Sequence, residues 1–135
     1  MNPHDLLWPD HFTADEFRCG CGCGLLNIEQ PLLCACGQLR RIVERPIHVV
    51  SGSRCPWHNQ YVGGSQTSLH MAGMAADIRC PSMPFPAFVM ACLAIHPEYI
   101  RGVGLTFDSE TIHIDLRYKP KLWYRQTRND AYTYL

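Results

Sequence analysis

The stretch Ser68-Leu69-His70-Met71-Ala72-Gly73-Met74-Ala75-Ala76-Asp77-Ile78 sets a histidine and a carboxylate seven positions apart, around a glycine and a run of small residues. Residues 75–79 read as a strand that carries Asp77, and the small Ala75 and Ala76 permit a tightly packed approach that fixes its direction. His70 and Asp77 offer the nitrogen and oxygen donors that Zn²⁺ accepts. A third donor lies downstream in Glu110-Thr111-Ile112-His113-Ile114-Asp115, an alternating apolar run with the period of a strand. Three protein ligands leave a fourth position open, which is the arrangement of a catalytic rather than a structural zinc.

Outward from these two runs the chain reads as one α+β domain, a small and mostly antiparallel sheet with two main helices packed on it. Residues 102–107 and 111–116 flank Asp108-Ser109-Glu110 and are expected to form an antiparallel hairpin. Upstream, Leu32, Leu33, Cys36, Leu39, Ile42 and Val43 recur at helical spacing, with Asn27 as the expected N-cap, Pro31 in the first turn and an end before Pro46. Thr13 or Asp15 is expected to cap a short turn before Phe17. Residues 47–50 are β-branched and read as a strand leading into the Ser51-Gly52 turn, and a helical turn is expected over residues 56–62. A second long helix is expected over residues 87–95, after the breaker-rich segment 81–86. The single domain spans residues 1–135, with a Gly/Cys-rich amino-terminal segment at 1–24 and an aromatic tail at 119–135. That tail is expected to line the cleft at Trp123 and to fray beyond Arg128.

These motifs together resemble the zinc D-alanyl-D-alanine peptidases of bacterial cell walls. The residues that carry the resemblance are SLHMAGMAADI, IHIDLR, the upstream Ser51-Gly52-Ser53-Arg54, and HFTADEFRCGCGCG at the front, which is similar to the opening of compact phage and prophage members. The likeness runs over residues 11–123. Vancomycin-resistance dipeptidases, phage endolysin peptidases and the hedgehog signalling domain share the zinc site more distantly. The resemblance implies a hedgehog/DD-peptidase-like fold, with His70, Asp77 and His113 as zinc ligands. It implies hydrolysis of a peptide bond in peptidoglycan stem peptides or crosslinks, by a D-Ala-D-Ala-type carboxypeptidase or endopeptidase. The alternative is a zinc-bearing wall- or tail-binding module with weak or no catalysis, because the hedgehog branch keeps such a site without being a protease.

Each remaining role is weighed against a plainer one. His113 and Asp115 share strand parity and so point to one face, where Asp115 is placed to hold a ligand or substrate. Glu110, three residues before His113, occupies a place where several relatives carry the catalytic glutamate, others a histidine and some neither, and it is the candidate base. Strand parity sets it opposite His113 unless the turn bends it back; its plainer reading is a solvated turn residue, and Asp115 is the fallback. Arg54 is the candidate for binding substrate charge or a developing oxyanion, against a surface arginine after a turn. Ser68 either orients substrate or caps its local turn. Asn59, Gly63 and Gly64 match the family's N-x-x-V-G-G run, which shapes the loop beneath the site. His48, His58 and His96 read as structural or surface groups, and His4 and His11 are less informative still.

Twelve Lys plus Arg balance twelve Asp plus Glu, which gives no electrostatic reason to expect nucleic acid or an anionic membrane as partner. No apolar run approaches the roughly 18 residues of a membrane span. The resemblance implies a peptidoglycan peptide as partner, and a monomer is expected. MNPHDLLWPDHF has acidic residues and prolines where a signal peptide needs a basic segment and an apolar stretch. The expectation is cytoplasmic synthesis, with the wall reached after phage- or holin-type release or as part of a virion.

Eight cysteines are many for 135 residues. One reading is a second, structural metal on Cys19, Cys21, Cys23 and their neighbours, although zinc sites usually put two to four residues between paired cysteines. Another is a disulfide from the Cys19–Cys23 region to Cys55, and a third is free thiols that pack as small hydrophobes.

Overall fold

The structure is a computed structural model and describes residues 5–135; residues 1–4 of the amino-terminal segment, His4 among them, lie outside the described residues. Its centre is a six-stranded sheet in the order β1-β2-β4-β3-β5-β6. The strands are β1 (His48–Ser51), β2 (Ala75–Arg79), β3 (Gly102–Thr106), β4 (Thr111–Asp115), β5 (Lys121–Arg125) and β6 (Thr133–Tyr134). All neighbours are antiparallel except β3 and β5, which run parallel. Two longer helices, α2 (Gln30–Val43) and α4 (Phe85–Ala94), accompany two short ones, α1 (Ala14–Phe17) and α3 (Pro56–Tyr61). This is the expected α+β architecture with a mostly antiparallel sheet. Among the described residues no helix is long and apolar enough to cross a membrane.

The period of two along each strand divides the sheet into an apolar and a chemical face. Ala76, Ile78, Val103, Ile112 and Ile114 are buried in the core with Leu32, Leu33, Leu39, Phe88 and Cys92 from α2 and α4. The alternate residues form a cross-sheet row through the pairs Ser51↔Asp77, Asp77↔His113, His113↔Gly104, Gly104↔Trp123 and Trp123↔Tyr134. A parallel row runs Ala75↔Asp115↔Gly102↔Lys121. Register alone therefore aligns the polar side chains of β2 and β4.

Several local expectations are corrected. Asn27 does not cap α2; Glu29 holds that position, while the Asn27 side chain donates to the Met71 carbonyl at 2.9 Å and its N–H donates to Ser53 Oγ at 3.1 Å. Asn27 thus ties the front of the chain to the loops beside the site. Ile42, expected on the apolar face of α2, is half exposed while Val43 beside it is buried, because at about 100° per residue Ile42 falls at the edge of the stripe formed by Leu32, Cys36, Leu39 and Val43. The tail does not fray beyond Arg128. Residues 133–134 pair with Trp123 and Tyr124, and Trp123 and Tyr132 approach edge to face with centroids 6.1 Å apart. Aromatic contacts with Trp123 and a strand ladder hold what a local reading takes for a loose end, although its tyrosines stay exposed.

Candidate active site

Asp77 lies midway between two histidines. Its Oδ1 is 3.1 Å from His113 Nδ1 and its Oδ2 is 3.2 Å from His70 Nε2. His113 comes from the neighbouring strand, in register with Asp77. His70 comes from the turn before β2 and is buried. Burial alone would raise the Asp77 carboxyl, but the His70 charge and the His113 hydrogen bond outweigh it and hold it well below the usual carboxylate range.

The outer nitrogens of both rings are taken. His70 Nδ1 is 2.9 Å from the Gly52 carbonyl, which can only accept, so Nδ1 carries the proton and Nε2 in a neutral ring keeps its lone pair. His113 Nε2 is 2.8 Å from Asp115 Oδ2, which likewise fixes the proton there and leaves Nδ1 with the lone pair. Two imidazole lone pairs and a carboxylate oxygen then converge within 4.8 Å of one another. His70 Nε2 is fully buried without a hydrogen-bond partner, a costly arrangement unless a cation satisfies it. The donor set N, N, O and its orphaned nitrogen fit a zinc ion. Without the metal, burial would lower the His113 pKa, yet hydrogen bonds to Asp115 and Asp77 carry it up to about 9.

Asp115 is fully buried and is held from two sides. The Arg117 side chain donates from Nε at 3.0 Å to Oδ1 and from NH2 at 2.7 Å to Oδ2, and the Arg117 N–H donates to Oδ1 at 3.0 Å. Burial alone would raise the Asp115 carboxyl, but His113 and Arg117 override it and push it well down. Arg117 also lies 4.3 Å from the Trp123 ring centroid, and Trp123 is 5.4 Å from His113. Two glycines of β3 make room for this stack. A Cβ at Gly102 would overlap the Asp115 carboxylate, and one at Gly104 would overlap the Trp123 indole.

Arg54 closes the other side. It is buried, with NH1 donating to Asn59 Oδ1 at 3.0 Å and NH2 to Ser51 Oγ at 3.3 Å and to Asp77 Oδ2 at 3.4 Å. Burial draws its pKa down and Asp77 opposes that. Asn59 Nδ2 donates to the Ser65 carbonyl at 2.8 Å, so the Asn59–Gly64 loop does seat Arg54. Ser68 Oγ accepts the His70 N–H at 3.3 Å, a local turn contact. Glu110 stands exposed on the β3–β4 turn with φ 51°, just outside β4. Among the described residues no hydrogen bond ties its carboxylate to the histidines.

Sequence reasoning missed Arg117; Trp123, expected to line the cleft, packs there against His113 and Arg117. Arg117 shares the parity of His113 and Asp115, so the alternation in IHIDLR carries the signal. Trp123 reaches the site through the parallel β3–β5 pairing, which leaves no local trace.

A carboxylate and two oriented imidazoles on one sheet face, ready for a metal, define a metallopeptidase-type centre. Residues 10–115 match the Peptidase M15 family, and the chain belongs to that family of metallopeptidases. No curated protein matches the chain.

Proposed function

We propose that this metallopeptidase is a zinc-dependent hydrolase of peptidoglycan stem peptides or crosslinks, acting on a bond of the D-Ala-D-Ala type. The observation that carries the reading is the convergence of His70 Nε2, Asp77 and His113 Nδ1, with each ring's other nitrogen already engaged. Zinc, when bound, supplies a Lewis acid that polarises a scissile carbonyl and acidifies a water.

The chain's own residues do the rest. The Gly52 carbonyl and Asp115 keep the protons of His70 and His113 on the nitrogens that face away from the metal. Arg54 and Arg117 each pair with one of the two buried-site carboxylates, Asp77 and Asp115. The charges cancel, so a divalent ion presents its full charge to the substrate, which favours a carboxylate or a developing oxyanion. Arg54 adds its guanidinium at the edge of that field. Asp77 and Asp115 are both committed, whereas Glu110 is a carboxylate of the motif free to take a proton from water and return it to the leaving amine. The partner in this reading is the wall peptide, met by a monomer that a phage particle or a membrane lesion brings to it.

The test is digestion of purified muropeptides by zinc-loaded protein beside His113→Ala, read by mass spectrometry. Loss of a D-Ala or a split crosslink, absent in the variant, is expected. Zinc-loaded protein that cleaves neither carboxypeptidase nor endopeptidase substrates would overturn the reading in favour of a binding module.

A further inference from the structure

A second set of metal-binding side chains gathers at the front of the chain. The Sγ atoms of Cys19, Cys21, Cys23 and Cys55 all lie within 4.8 Å of one another. Cys19 and Cys21 are 3.5 Å apart, and Cys21 and Cys55 are 3.7 Å apart. Disulfide sulfurs bond at about 2.05 Å, whereas four thiolates about 2.3 Å from a tetrahedral zinc stand about 3.8 Å from each other. The two shortest separations are near the edge of that tetrahedron and far from a disulfide bond. We propose that Cys19, Cys21, Cys23 and Cys55 form a tetrathiolate zinc site, separate from the histidine centre, that clamps the amino-terminal loop to the segment bearing Gly52 and Arg54.

The backbone is built for it. Cysteines at every second position share a side of an extended chain but stand about 6.7 Å apart along it, so gathering their sulfurs needs a curled loop, and Gly22 and Gly24 supply the curl with φ of 85° and 86°. Cys19 N–H donates to the Leu25 carbonyl at 2.9 Å, and Gly22 N–H to the Cys19 carbonyl at 3.3 Å, which closes it. The fourth sulfur arrives from the turn before α3. Backbone donors point at the sulfurs, with Cys55 N–H 3.4 Å from Cys19 Sγ and His58 N–H 3.3 Å from Cys55 Sγ. Four thiols lose four protons to one Zn²⁺, leaving a complex of charge −2, and the Arg54 guanidinium lies within electrostatic reach of Cys19. The other four cysteines behave differently. Cys36, Cys80 and Cys92 are buried, and Cys34 is exposed on α2.

The clamp bears on the active site through two contacts. Ser53 N–H donates to the Phe17 carbonyl at 2.8 Å, and the Gly52 carbonyl holds His70 Nδ1. Fixing Cys55 to the amino-terminal loop therefore fixes the segment that orients one ligand and carries Arg54.

The experiment counts metal in the full chain purified with a reductant and without chelator. Two zinc per chain are expected by plasma mass spectrometry, one in His113→Ala and two in Cys34→Ser. Cobalt exchanged into His113→Ala is expected to show sulfur-to-metal charge-transfer absorption. Native alkylation read by peptide mass spectrometry is expected to label Cys34 and spare Cys23, although both are exposed, until a chelator is added. This readout needs no cysteine variant and so does not depend on such a variant folding. A folded His113→Ala protein without metal, Cys23 alkylated as fast as Cys34, or a mass deficit from a disulfide within the four would each overturn the proposal. None of these outcomes depends on the peptidase activity.

Discussion

Asp77 and His113 are paired across β2 and β4, with Oδ1 and Nδ1 3.1 Å apart. In the metal-free protein the proton between them belongs to His113, whose pKa of about 9 stands above the usual 6.5. A raised histidine contributes stability that is full below pH 6.5 and is lost as pH rises through 9. Asp77 and Asp115 are shifted down from 3.8, so their contribution is present above that pH and fades as acid protonates them. Metal-free protein is therefore expected to be most stable between pH of about 4 and 6.5. Urea unfolding across this range checks it, and the difference between wild type and His113→Gln should shrink from pH 6.5 to 9. Zinc affinity should move the other way, rising with pH as the metal displaces the His113 proton.

Asp115→Asn keeps the shape but removes the charge that fixes the His113 tautomer and pairs with Arg117. Zinc affinity is expected to fall about 10- to 100-fold. Stability should fall by about 3 kcal/mol, because a guanidinium loses its buried partner. Zinc-buffered titration and chemical denaturation separate the two effects. Unchanged zinc affinity would remove the orienting role of Asp115.

Much of this site was legible in the sequence because strands make parity visible. Residues 75–79 and the 102–106/111–115 hairpin follow from alternation and a short turn, and parity alone sets His113 beside Asp115. What stayed hidden depends on contacts remote in sequence. Trp123 is legible as a cleft aromatic, but its stacking on Arg117 and His113 exists only once β5 docks in parallel on β3, and the sequence leaves open whether Cys55, 32 positions beyond Cys23 (55 minus 23), shares a metal or a disulfide with the front cysteines. Asn27 has the chemistry of an N-cap, but Met71 and Ser53 claim it, so tertiary hydrogen bonds override the local preference. Glu110 is a different case: its left-handed turn conformation lies outside the strand, where parity has no authority.

Gly104→Ala tests the cross-sheet row. The added Cβ overlaps the Trp123 indole, which is packed between β3, His113 and Tyr134. Displacing it is expected to cost about 1–3 kcal/mol and to change tryptophan fluorescence in the folded protein. A variant with unchanged emission and melting temperature would show that the indole does not depend on the missing side chain.

Glu110→Gln tests the proton carrier apart from the metal. The residue is exposed on its turn and forms no hydrogen bond to His70, Asp77 or His113, so the isosteric amide should leave fold and zinc content unchanged. If Glu110 moves the proton between water and the leaving amine, kcat on a muropeptide substrate should drop about 10²- to 10⁴-fold with little change in KM. Wild-type turnover in Glu110→Gln would take the role from this side chain. The motif's other carboxylates could then take it only by giving up existing bonds, Asp77 to His113 and Arg54 or Asp115 to His113 and Arg117.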